Sequence, residues 1–313
     1  MSKTAFLFPG QGSQFAGMGQ TLAHSYPEAR SVFEEADAAL GFPLSKLCFE
    51  GPEEQLWLTE NTQPAMVAVS AAALAVLRGK GVTPDYVAGH SLGEYSALIA
   101  AGSLDFGAAV QLVRKRGRYM QEAVPAGVGA MAALLKLPEG KLDTILREAA
   151  QGEIVTAANL NSPEQIVIAG HAGAVRRAVE LAQAAGAKRA ILLPVSAPFH
   201  CPLMKPAQAR LKADLDTTPF RDLAVPLVNN WQARAVRTGA EAREGLYQQV
   251  PNPVRWGDSI RALAAEGVTR FIEVGAGGIL TSLLRNIDAS LRGAKFGEAQ
   301  DWEKLAAAAS GLR

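Results

Sequence analysis

A serine set between two glycines, just after a short apolar run, constrains this chain more than any other feature. Tyr86-Val87-Ala88 is short and apolar enough for a buried strand, Gly89-His90-Ser91-Leu92-Gly93 follows, and Glu94 to Ala101 has the composition of a helix stopped by Gly102. Strand, G-x-S-x-G and helix in that order form the nucleophile-elbow pattern. A serine on so sharp a strand-to-helix turn sits in strained backbone, and only glycines on both sides leave it room. Its hydroxyl stands at a helix N-terminus, where free N–H groups and the helix dipole favour negative charge. The bland alternative is an ordinary glycine-rich turn; the correct flanks on both sides favour a nucleophile.

The rest of the chain must house that elbow. Its 313 residues, 49% hydrophobic, are ample for a large core in one or two domains. The net charge of +1 gives no bulk field for nucleic acid or membrane, so neither is expected as a partner. The longest apolar run, Ala65 to Leu77, is far short of the ~20 residues a bilayer needs and reads as a helix buried on all sides. The N-terminal apolar stretch is too short for a signal peptide. Cys48 and Cys201 form no disulfide framework, which fits a cytoplasmic location. His24, His90, His171 and His200 show no metal-ligand spacing, so no metal is expected.

The order of elements predicts an α/β fold. Thr4 to Phe8 reads as a strand running into Pro9-Gly10-Gln11-Gly12-Ser13-Gln14, the glycine-rich exit expected at the carboxyl edge of a parallel sheet. Helices are expected from Pro27, after Asn61-Thr62, and from Asp105 to about Glu122. A break at Pro125 to Gly129 marks a boundary. From Ala130 to Leu193 the order strand, helix, strand, strand, helix, strand is the ferredoxin-like split βαβ arrangement. Residues 127–196 are therefore expected as an inserted ferredoxin-like small domain, and residues 1–126 with 197–313 as a hydrolase-like large domain with a parallel sheet core. In the latter, strands are expected at Val225 to Asn229 and Arg270 to Val274. Gly275-Ala276-Gly277-Gly278 resembles a dinucleotide loop only weakly; close helix–strand packing explains its glycines better. An alanine-rich helix is expected after Asp301.

A serine nucleophile needs a base. His90 adjoins Ser91, and neighbours on an elbow diverge; His24 looks exposed, and His171 precedes a surface helix of the insert. His200, between Pro198 and Pro202 on the return from the insert, is the favoured base. Asp105, Asp143, Glu153 and Glu164 are poorly placed to complete a triad, so a Ser–His dyad is expected, its imidazole oriented by something other than a carboxylate. Arg116 lies on the apolar face of its helix with Leu112, Val113 and Met120, where an unpaired guanidinium is costly. Two readings stand level: an internal ion pair, or a bidentate clamp for a substrate carboxylate.

At this point the chain resembles the malonyl-CoA:acyl carrier protein transacylase family, over nearly its whole length. The matching stretches are Phe8 to Gln14, Gly89 to Glu94, Arg116-Gly117, Met120-Gln121, Gly129-Ala130-Met131, Asn161-Ser162-Pro163, Ser196 to His200, Asn252-Pro253-Val254 and Glu273-Val274-Gly275. The resemblance implies Ser91 as nucleophile, His200 as base and Arg116 as the clamp on the malonyl carboxylate. It implies an oxyanion hole from the N–H groups of Gln11 and Leu92, and Gln249 as the residue whose carbonyl orients the histidine. Phe199, where some relatives carry a smaller side chain, implies malonyl rather than methylmalonyl selectivity. The implied reaction is ping-pong, from malonyl-CoA to the phosphopantetheine thiol of acyl carrier protein, without cofactor, by a monomer. A basic patch of Arg114, Arg118, Arg176, Arg177, Lys188 and Arg189 is expected to receive the carrier. A polyketide acyltransferase, a serine thioesterase or esterase on the same fold, and a silent interaction module remain alternatives.

Overall fold

The computed structural model describes residues 2–195 and 197–310; Ser196, which begins the return motif, and residues 311–313 of the tail lie outside the described residues. The strands in chain order are β1 (Lys3–Phe8), β2 (Tyr86–Gly89), β3 (Gly129–Leu135), β4 (Val155–Ser162), β5 (Gln165–His171), β6 (Arg189–Leu192), β7 (Leu227–Val228), β8 (Ala235–Val236), β9 (Val268–Val274) and β10 (Gly293–Phe296). Six of them form one sheet in the order β10-β9-β1-β2-β7-β8, parallel except for the β7–β8 hairpin. From Ala5 to Phe8, β1 is continuously apolar because both faces of this sheet are covered. Phe6 and Phe8 pack into one core with the helix Thr59–Gly79, while Ala5 and Leu7 pack into a second with Trp256 and Ile260. Alternate side chains of a strand point to opposite faces, so a central strand buried twice shows no polar alternation.

The other four strands form an antiparallel sheet in the order β4-β5-β3-β6. Relative to chain order this is second, third, first, fourth, which is the split βαβ arrangement. Helices Leu142–Ala150 and Ala172–Ala184 cover one face over Ala132, Leu134 and Ile168. The opposite face, with Met131, Ala133 and Ala169, packs on Phe199, Cys201 and Leu203. The segment carrying His200 is thus clamped under the smaller sheet. The smaller sheet is also tied to the segment before the helix Trp256–Ala265, since Leu160 N donates to Val254 O and Val254 N to Ala158 O, each at 2.9 Å.

Several boundaries differ from expectation. The buried helix starts at Thr59, earlier than Asn61-Thr62 implied, because Thr62 closes the first turn with both its N–H and its hydroxyl on Leu58 O, ahead of Pro64. β8 and β10 are short edge strands without a clear period-2 signal, and sequence reasoning passed over both. The glycine loop packs as argued: a Cβ on Gly275, at φ 128°, would come within 2.4 Å of Ser70 Oγ. Among the described residues no helix is long and apolar enough to cross a membrane.

The elbow is where the layers approach most closely. A Cβ on Gly93 would lie 2.0 Å from Phe8 O of β1, and one on Gly89 would lie 2.0 Å from Gly93 C and O. Backbone cannot yield as a side chain tip can, so Gly93→Ala should cost about 3 kcal/mol or more. Urea unfolding of wild type and variant measures it; a loss under about 1 kcal/mol would mean that the helix can draw back from β1.

Candidate active site

Ser91 has φ 51°, a left-handed conformation that a non-glycine residue holds at a cost of order 1–3 kcal/mol. Three contacts fix it from the β1 side and from within the turn. His90 N donates to Phe8 O at 2.9 Å, Gly93 N donates to His90 O at 2.9 Å, and Gly10 lacks the Cβ that would strike His90 O at 2.5 Å. The loop after β1, which carries Gln11, therefore lies directly against the elbow.

His200 also has a positive φ, 57°, and is 3% exposed. Its Nε2 lies 2.6 Å from Ser91 Oγ and its Nδ1 2.9 Å from Gln249 O. A carbonyl oxygen only accepts, so Nδ1 carries the proton and Nε2 is left to accept from the serine hydroxyl. Burial, followed by the nearby charge of Arg116, pushes the imidazole pKa down to about 3. The ring is therefore a neutral acceptor at any ordinary pH.

Arg116 comes from the helix Phe106–Glu122, capped by Asp105 accepting from Ala108 N. Gly117 lets this helix approach the helix Thr59–Gly79, since a Cβ there would meet Thr59 O at 2.6 Å. The guanidinium is 1% exposed. Nη1 donates to Gln63 Oε1 at 2.8 Å, and Nη2 donates to Gln249 Oε1 at 3.0 Å and to Ser91 Oγ at 3.2 Å. Among the described residues its Nε has no hydrogen-bond partner, and no carboxylate lies within ion-pair distance of the guanidinium. The internal ion pair, one of the two sequence readings, is absent there; the charge is met by neutral oxygens. Gln63 continues the chain of contacts to Gln11 Oε1 at 3.2 Å, and Gln11 Nε2 donates to Thr59 Oγ1 at 2.7 Å. The backbone N–H groups of Gln11 and Leu92 have no acceptor among the described residues.

These groups converge on a cavity of about 400 Å³ lined by Gln11, His90, Ser91, Arg116, Phe199 and His200, with Trp57 at its mouth, 49% exposed. Two of the predicted site residues do not line the cavity, and one of them, Leu92, has its side chain in the core and stands just before the helix Gly93–Ala100. Gln249 lies beneath the floor. The other histidines stand apart from the serine–histidine pair: His24 is exposed, His171 Nδ1 accepts from Ile154 N, and His90 Nε2 meets Asn161 Oδ1 of the smaller sheet at 2.8 Å. In the expected basic patch, Arg177 is spent on the carbonyls of Ala149 and Ala150 and on Glu153, and Arg114 stacks on Phe42.

Gln63, Glu94 and Asn230 were assigned no role from sequence. Each is a fully buried polar residue whose partners come from distant segments. Their surroundings carry no clear signal: Gln63 follows the polar run Thr59 to Thr62, and Asn230 lies between Asn229 and Trp231-Gln232.

The acyl transferase domain family matches residues 5–300. The chain belongs to it. It is therefore an acyltransferase. It is 51% identical over 293 residues, 93% of its length and 92% of the relative's, to the malonyl CoA-acyl carrier protein transacylase of Bacillus subtilis strain 168. Its fold superposes with a TM-score of 0.95 on the acyl carrier protein S-malonyltransferase of Vibrio cholerae O1 biovar eltor, at 44% identity, covering 97% of this chain and 100% of that one. A malonyl-transacylase solved with the holo acyl carrier protein of a type II PKS gives 0.94 at 44% identity, over 97% and 98% of the two chains.

The depressed pKa of His200 has a measurable sign. An imidazole at 6.5 would lose base function as pH falls through that value; one held near 3 keeps it. The rate of Ser91 labelling by phenylmethanesulfonyl fluoride should stay within about twofold from pH 7.5 to 5. Removing the Arg116 charge should move the acid limb up toward neutrality. A wild-type rate that halves near pH 6.5 would contradict the assignment.

Proposed function

We propose that this acyltransferase moves a malonyl group from malonyl-CoA to the phosphopantetheine thiol of acyl carrier protein through a malonyl ester on Ser91, supplying extender units for fatty acid synthesis. The observation that carries the reading is Arg116: a buried guanidinium, unpaired with any described carboxylate, 3.2 Å from Ser91 Oγ. Malonyl carries its carboxylate two carbons from the thioester carbonyl that the serine attacks. A planar donor beside the nucleophile is where that group needs its partner.

His200 Nε2 takes the proton as Ser91 Oγ attacks the thioester carbon. The imidazolium keeps its Nδ1–H on Gln249 O. The oxyanion is received by the N–H groups of Gln11 and Leu92, each such donor being worth ~10²–10³ in rate. The tetrahedral intermediate collapses and the proton on His200 passes to the departing coenzyme A sulfur. In the second half, His200 takes the proton of the carrier's thiol as it attacks the serine ester, and returns that proton to Ser91 Oγ as the intermediate collapses and the malonyl thioester leaves. Before substrate arrives, Arg116 weakens the base by holding its pKa low. The malonyl carboxylate offsets that charge, so the base strengthens once the correct substrate is bound. Both halves are acyl transfers that draw only on these side chains and backbone donors.

Phe199 places a bulky ring in the cavity lining, which supports selectivity for malonyl over a bulkier substituted malonyl. The two sheets and their separate cores support a large domain of residues 1–126 and 197–313 with a small domain of 127–196. Both cysteines are buried free thiols, in keeping with a reducing cytoplasm. For carrier docking, Arg118, Arg176, Lys188 and Arg189 remain exposed.

Arg116→Ala should invert substrate preference. In the wild type, acetyl leaves the guanidinium without a counter-charge; in the variant, malonyl buries an unpaired carboxylate. Each penalty is about 3–5 kcal/mol, or ~10²–10³ in selectivity. Acylation kcat/KM should collapse for malonyl-CoA and hold or rise for acetyl-CoA, with Tm little changed. A parallel fall for both substrates, together with a Tm lowered by many degrees, would assign Arg116 a structural role and overturn the reading.

A further inference from the structure

The β2–β7 ladder ends just short of the elbow, and a side chain continues it. Val87 and Ala88 pair in parallel with Leu227 and Val228, after which the chain of β7 turns away toward β8. Asn230, wholly buried in that turn, then reaches across. Its Nδ2 donates to Gly89 O at 2.6 Å, and its Oδ1 accepts from Ser91 N at 2.6 Å. A residue in a parallel ladder donates to the carbonyl before its partner and accepts from the N–H after it. Gly89 and Ser91 flank His90 in that sense. The carboxamide therefore acts as the missing peptide group opposite His90, at the point where the backbone takes up the left-handed turn.

The bracket is itself held rigid. Asn230 N donates to Glu94 Oε2 at 3.0 Å, Asn230 O accepts from Arg255 N at 3.1 Å, and Gln249 Nε2 approaches Asn230 Oδ1 at 3.3 Å. Gln249 Nε2 also donates to Ser91 O at 3.0 Å and to Glu94 Oε2 at 2.9 Å. The carbonyl that aligns His200 and the amide that aligns Ser91 thus belong to one buried network beneath the cavity. Asn230 itself meets Ser91 only through the backbone N–H and does not line the cavity.

We infer that Asn230 is a positioning residue that fixes Ser91 Oγ against His200 Nε2 by gripping both peptide groups around the elbow. This rests on the reading of Ser91 as nucleophile. Without the grip, two buried backbone groups lose their partners and the serine can rotate out of line. Misplacement of about 1 Å is enough for losses of order 10²-fold. Because Arg116 and the cavity walls are untouched, substrate affinity should not follow.

Single-turnover acylation by malonyl-CoA separates the two constants. Asn230→Ala should lower the limiting rate about 10- to 100-fold, with the half-saturating malonyl-CoA concentration within about threefold of wild type. Asn229→Ala disturbs the same turn without touching the elbow and should stay within about twofold. Asn230→Asp is nearly isosteric and keeps the acceptor for Ser91 N while losing the donor to Gly89 O. It should fall at least fivefold even if the alanine variant does not fold. A limiting rate near wild type in folded Asn230→Ala or in Asn230→Asp overturns the inference. So does a loss carried by the half-saturating concentration alone. Failure of the wild type to acylate Ser91 would instead sink the underlying reading.

Discussion

The close approach of three backbones at Gly93 is the constraint from which the rest of the structure follows. β1 comes against the first turn of the helix Gly93–Ala100 with no room for one methyl group, and Gly89 meets that turn from the other side. Ser91 is left in a left-handed conformation, projecting away from the sheet, with the loop after β1 pressed on its neighbour His90. Ser91 and the Gln11 N–H are therefore set relative to one another by sheet packing rather than by flexible side chains. Such preorganisation is what a transition-state oxyanion needs, because nothing must reorganise as charge develops.

A second layer of order comes from buried amides. Gln63, Gln249 and Asn230 meet the charge of Arg116 or the peptide groups of the elbow without adding a full charge of their own. Carboxylates in those places would neutralise the guanidinium permanently and leave nothing for an acidic substrate to supply. Glu94 is the one acid in the network, and burial lifts its pKa to about 7, against the pull of its donors and of Arg116. Among the described residues the buried guanidinium thus has no direct ion pair and is met by neutral oxygens.

Features governed by local rules were legible in the sequence. The elbow declares itself through glycine spacing, Arg116 through its place on an apolar helix face, and the smaller sheet through its order of strands and helices. The family resemblance added Gln249, whose position no periodicity could mark, because its carbonyl is an ordinary backbone group. What stayed hidden is non-local. Asn230 lies 139 positions from the serine it holds, and nothing near it in the chain hints at that contact. Edge strands such as β10 form because a neighbour offers hydrogen bonds, so their own residues carry little pattern.

The central claim is that acyl transfer passes through Ser91. Its most direct test is to mix the enzyme with malonyl-CoA without carrier, quench in acid, digest, and locate the modification by mass spectrometry. The account predicts one malonyl group on the peptide containing Ser91, which disappears on addition of holo carrier protein as the carrier gains it. An ester on another residue, or malonate released to water as fast as it is transferred, would contradict it.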